Sequence, residues 1–143
     1  MNREIKFRGL RQSGEWVYGG ITSHLHSPKN KTQIVSCRFF ERQEDKEHYK
    51  FYNVRKESIG QFTGRKDIKG IEIYEGDICI ATQTLYKVKS PLTVKIIYNS
   101  EFARFEPEQF WKSQNEWKSL SDGFKCDYDF EIMGNIFENP ELL

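Results

Sequence analysis

His24-Leu25-His26, followed by Cys37, offers the softest set of metal ligands in the chain. Imidazole nitrogen and thiolate sulfur suit zinc, but a closed site needs a second ligand pair at finger spacing, and none is present. A polar loop accounts for the two histidines more simply. Glu72, Glu75 and Asp77 are the second grouping. Converging carboxylates can hold magnesium for phosphodiester hydrolysis. These three flank Gly76, however, where short acidic side chains also bond turn amides. Asp127, Asp129 and Glu131 share one face of an alternating segment and could hold a cation. Pairing with Lys87, Lys89 or Lys95 across a sheet, at a few tenths of a kcal/mol each and up to about 1, is the simpler use.

Cations make the other chemistry. Arg65, Lys66 and Lys69 surround a central turn, with Arg55 and Lys56 before it and Arg3, Lys6, Arg8 and Arg11 near the amino-terminal rings. Small barrels bind nucleic-acid strands by joining a cationic groove to stacking rings, each stacked base contributing about 1–3 kcal/mol. Glu4, Glu57 and Asp67 interrupt the basic runs, and alternating Arg and Lys on strand faces also discourages edge pairing. No phosphate-cradling glycine loop, Walker A motif or nucleophile elbow occurs. The reading therefore assigns no catalytic, cofactor-binding or metal residue and expects no enzyme.

The elements that must position these residues are strands. The chain has 143 residues and 17.0 kDa, the size of one domain or two small lobes. Lys plus Arg number 22 against 21 Asp plus Glu, so a general affinity for phosphate backbones is not expected. No apolar run is long enough to span a bilayer, and the charged opening is no signal peptide, which predicts a soluble cytoplasmic protein. Cys37, Cys79 and Cys126 are widely spaced and odd in number, which predicts reduced thiols. Aromatics reach 15%, favouring pleated surfaces over helix bundles.

Ile5 to Leu10 and Glu15 to Ile21 alternate around Gly14, a β-hairpin pattern. Gln33 to Phe40 predicts a third strand, residues 41–50 a charged loop or short helical turn, and Ser58 to Gly64 a further strand. Arg65 to Gly70 reads as a basic turn. Beyond it, Gly76 to Ala81, Leu92 to Tyr98, Phe102 to Glu106, Glu108 to Trp111 and Asp127 to Ile132 predict about five short strands, the pattern of a small barrel. The fold class expected is mainly β: an amino-terminal β region over 1–64 and a small barrel over 65–143, packed as one unit with few or no long helices. Gly76 should take a backbone conformation closed to other residues, with Asp77 bonding nearby amides, and Gly134 should permit a bulge or a close backbone approach, with Asn135 satisfying neighbouring backbone. The terminal Leu142 and Leu143 should dock on the body or on a second copy, a self-association surface.

Three segments together resemble the YopX family of phage and prophage proteins: Arg3-Glu4-Ile5-Lys6-Phe7-Arg8 with Trp16-Val17-Tyr18-Gly19; Ile59-Gly60-Gln61-Phe62-Thr63-Gly64 through Gly70-Ile71-Glu72-Ile73-Tyr74-Glu75-Gly76-Asp77-Ile78; and Ile132-Met133-Gly134-Asn135-Ile136-Phe137-Glu138-Asn139-Pro140-Glu141-Leu142-Leu143. The resemblance runs nearly end to end. It implies an SH3-like carboxy-terminal barrel and an accessory product in the bacterial host cytoplasm, and it brings no catalytic residue. The function expected is non-enzymatic binding, by a homo-oligomer acting on a host or phage protein. A nucleic-acid-binding module is the second expectation and a metal-dependent hydrolase the third.

Overall fold

The structure is a computed structural model that describes residues 4–22, 33–36, 50–83, 91–111, 116–119 and 128–143. It is built of antiparallel strands, with two single-turn 3-10 helices and no α-helix among the described residues. No helix there is long and apolar enough to cross a membrane. The chain divides into two compact units, Met1–Phe62 and Thr63–Leu143.

In the first unit, β1 (Phe7–Leu10), β2 (Trp16–Thr22), β3 (Gln33–Ser36) and β4 (Lys50–Asn53) run in the order β4-β3-β2-β1, and the start of β5 (Gly60–Lys66) joins β1. Gly14, at φ 85°, closes the expected β1–β2 hairpin by donating its N–H to the Arg11 carbonyl. Only glycine takes that backbone region without strain. Leu10, Val17 and Phe62 are buried. Ser58, buried in a 3-10 turn (Lys56–Ser58), accepts the Leu10 N–H at 2.8 Å and donates to the Arg55 carbonyl at 2.7 Å, so the sequence's continuous strand from Ser58 begins only at Gly60.

In the second unit, β5 runs on to pair with β6 (Glu72–Tyr74). Then β7 (Asp77–Gln83), β8 (Leu92–Asn99), β9 (Arg104–Trp111), β10 (Glu116–Ser119) and β11 (Tyr128–Asn135) form a sheet ordered β10-β9-β8-β7-β11. Alternation places Cys79 and Ala81 of β7, Val94 and Ile96 of β8 and Phe130 of β11 in one core with Ile73. Cys79 is an unoxidised thiol in that core, as expected. The strand pairings among the described residues draw no closed barrel. β9 is a single strand where the sequence pattern broke in two at Pro107. Pro107 stands opposite Ile96 of β8, one residue before the stretch of β9 that pairs with β10.

Candidate functional site

The corner between β5 and β6 collects the basic residues singled out in the sequence, and it is tightly built. Asp67 is buried and does not merely interrupt a basic run. Its Oδ1 accepts the N–H groups of Lys69 and Ile71, each at 2.8 Å, and its Oδ2 accepts the Ile132 N–H at 3.3 Å. Its own N–H reaches the Ile71 carbonyl, and Gly70, at φ 80°, donates back to the Asp67 carbonyl. Ile68 donates to the Phe130 carbonyl, so the turn lies along β11. An aspartate that accepts its own turn's amides is an Asx-type device, here extended by one bond to a distant strand.

What this rigid corner presents is aliphatic as well as basic. Ile68 and Ile71 are 58% and 53% exposed. Arg65, Lys66 and Lys69 are exposed beside them, but Arg65 and Lys66 belong to β5, so the turn proper is shorter than the sequence reading had it. The Lys69 ammonium lies 2.6 Å from the Glu131 carboxylate. Glu131 therefore takes a partner from this turn. Of the lysines expected to pair with the acidic strand, Lys95 bonds Glu108 instead, at 3.0 Å.

The hydrogen bond to Glu131, the charge of Glu131 and then the charge of Asp67 hold the Lys69 pKa above its usual 10.5. A raised folded-state value means that the pair's stabilisation is complete below 10.5 and is lost as pH climbs through the raised value. An NMR titration of the Lys69 side chain should give a midpoint above 10.5 that falls in Glu131→Gln. Equal midpoints in the two proteins would show that the pair does not persist in solution.

The carboxylate grouping does not assemble. Asp77 is buried with Oδ2 accepting the Tyr74 N–H at 2.7 Å, as expected of a turn residue, and Glu72 accepts the Tyr74 hydroxyl at 2.9 Å. No three His, Cys, Asp or Glu side chains among the described residues could hold a metal ion. His24, His26, Cys37, Cys126, Asp127, Lys87, Lys89, Arg3 and the charged run 41–49 lie outside the described residues. Leu142 and Leu143 lie in and after a 3-10 turn (Pro140–Leu142), 37% and 45% exposed.

Two glycine motifs far apart in sequence form one knot. Gly76, at φ 85°, donates to the Ile96 carbonyl and accepts the Ile136 N–H at 3.0 Å. Gly134 follows the expected β-bulge in the β11–β7 pairing, and Asn135 Oδ1 accepts the N–H groups of Phe137 and Glu138. These residues tie β7 to the carboxy-terminal turn.

Sequence reasoning missed a buried ion group on β9. Glu106 is fully buried, bonded by Arg104 Nε at 2.9 Å and Asn99 Nδ2 at 2.6 Å. The register that sets Asn99 opposite Arg104 was needed to see it. Arg8 also proved buried, its guanidinium 4.6 Å from the Trp16 ring centre, whereas a groove cation should be open to solvent.

A family model described as YopX protein matches residues 6–143. Among solved structures, the crystal structure of protein EF1440 from Enterococcus faecalis is similar over 99% of this chain and 99% of that one, with a TM-score of 0.54 at 24% identity, a likeness of fold. No curated protein matches the chain.

Proposed function

The chain belongs to the YopX family, and from that premise we propose that it is a non-enzymatic phage accessory protein of the host cytoplasm, self-associated through Leu142 and Leu143 and binding a host or phage protein. One observation carries the reading: Ile68 and Ile71 are held outward on a corner whose backbone is locked by Asp67. Ordering costs little when the backbone is already rigid, so apolar contact there converts efficiently into affinity. Arg65 and Lys66 beside the isoleucines favour a partner with an acidic rim. Branched aliphatic chains offer no stacking plane, and Lys69 is engaged by Glu131, so this corner suits a protein better than a nucleic-acid strand. In this reading the second unit is a small SH3-like barrel, supported by the bonds that bring the 67–71 turn onto β11.

Light scattering at high concentration should return a multiple of 17.0 kDa, reduced by Leu142→Asp with Leu143→Asp. A monomer mass would remove self-association. For the partner, tagged chain in infected host cells should retain a protein that the folded Ile68→Asp, Ile71→Asp variant releases. Equal retention by the two would overturn the corner as the binding surface.

A further inference from the structure

A different surface, in the first unit, has rings where the 65–71 corner has isoleucines. Strand alternation puts Trp16 and Tyr18 on one face of β2, and the pairing of Arg8 with Tyr18 brings Lys6 and Arg8 of the β1 segment to that face. The register Gly20 to Val35 to Phe51 carries the same face across β3 to β4, so Phe51 shares it with Tyr18. The contacts agree: Arg8 lies against Trp16, and the Lys6 ammonium is 4.9 Å from the centre of the Phe62 ring. Tyr18 and Phe51 are 49% and 51% exposed.

The two units also differ in charge. The first holds twelve Lys and Arg against seven Asp and Glu, a net of +5, while the second holds ten against fourteen, a net of −4. The near-neutral whole conceals this division. Opposite charge in two parts of one chain is a sign of a polyanionic partner for the basic part. Lys6 is paired with Glu4 at 3.2 Å, and Arg55 and Lys56 are exposed where the chain leaves β4.

From the shared face and the charge we infer that the first unit binds single-stranded nucleic acid, with unpaired bases stacking on Tyr18 and Phe51 and the phosphates drawn by the unit's net positive charge. Ring faces accept any base, so binding is tolerant of sequence. A duplex hides its base faces and can use only the electrostatic part. Arg8 serves as a positioning residue: buried against Trp16, it holds the ring face in place and does not meet phosphate.

The test is fluorescence anisotropy with the full chain and labelled oligo-dT, oligo-U and a DNA duplex, at about 50 and 200 mM salt. The expected result is saturable binding of at least one single strand, weakened about tenfold or more at the higher salt, with the duplex weaker than the strand. Tyr18→Ala and Phe51→Ala should each weaken it about 5- to 150-fold, the range of one stacked base. Both rings are exposed, so their removal leaves the core intact. Phe102→Ala, which deletes an equally exposed ring from the second unit, should leave binding unchanged. No binding of either strand at the lower salt, equal binding of duplex, or loss in Phe102→Ala equal to that in Tyr18→Ala would each overturn the proposal. The relative affinity for oligo-dT and oligo-U tells which sugar the face accepts.

Discussion

Asp67→Ala will cost the fold about 3–5 kcal/mol, measured by chemical denaturation of the full chain. The carboxylate is buried and accepts three backbone N–H groups, from Lys69, Ile71 and Ile132. A hydrogen bond to a charged group contributes about 1.5–3 kcal/mol, and neighbouring bonds do not add fully. Alanine leaves all three donors without that acceptor. Asp67→Asn should cost less, because one amide oxygen can still take the two turn N–H groups while its NH2 faces the Ile132 donor. Hydrogen exchange separates the contributions: Lys69 and Ile71 amides should lose protection in the alanine variant, and Ile132 in both. A loss below about 1 kcal/mol in Asp67→Ala would mean that Gly70 and the β5–β6 pairing hold the corner unaided.

Gly134→Ala is expected to cost about 2 kcal/mol, and most of it should return when Asn139→Gly is added. A Cβ at residue 134 would run into Asn139 Oδ1 and stand 2.8 Å from its Cγ, contacts that force a shift. Overpacking of this kind costs about 1–3 kcal/mol. Asn139 is pinned by its backbone N–H to the Asn135 carbonyl, and its Cβ, 3.0 Å from the added atom, cannot swing aside by a change of rotamer. That side chain makes no capping bond to the 3-10 turn it precedes, which makes its removal cheap. The double-mutant cycle isolates the clash. A Gly134→Ala loss that Asn139→Gly leaves untouched would place the requirement for glycine in the bulged backbone itself.

Much of the β character was legible because strands announce themselves locally. Alternation in Ile5 to Leu10 and in Asp127 to Ile132 needs no distant partner to be read; Gly14 and Gly76 mark places where backbone geometry restricts the residue, and Gly134 marks the bulge that Asn139 approaches closely. Their roles in hairpin, turn and bulge were correctly anticipated. The family resemblance rests largely on such residues, and the structure shows why: Gly76, Asp77, Asn135 and Ile136 meet in one hydrogen-bonded knot. A motif built from fold constraints identifies relatives without naming a ligand.

The surfaces were not legible, because a surface depends on which strands become neighbours. Arg65, Lys66 and Lys69 read as one basic cluster, yet Lys69 is engaged by Glu131 from sixty-two residues away and the cluster shares its corner with two exposed isoleucines. Asp67 read as a charge diluting that cluster, and folding buried it as the acceptor that makes the corner rigid. Nothing local marked Glu106, which folding buried as the acceptor of Asn99 and Arg104. By itself the sequence determined the strand content, the turn glycines and the family, since those follow from local backbone preference and side-chain alternation. Tertiary structure alone decided which charges were neutralised and which rings and isoleucines stayed exposed, because burial and charge pairing are set by contacts between residues far apart in the chain.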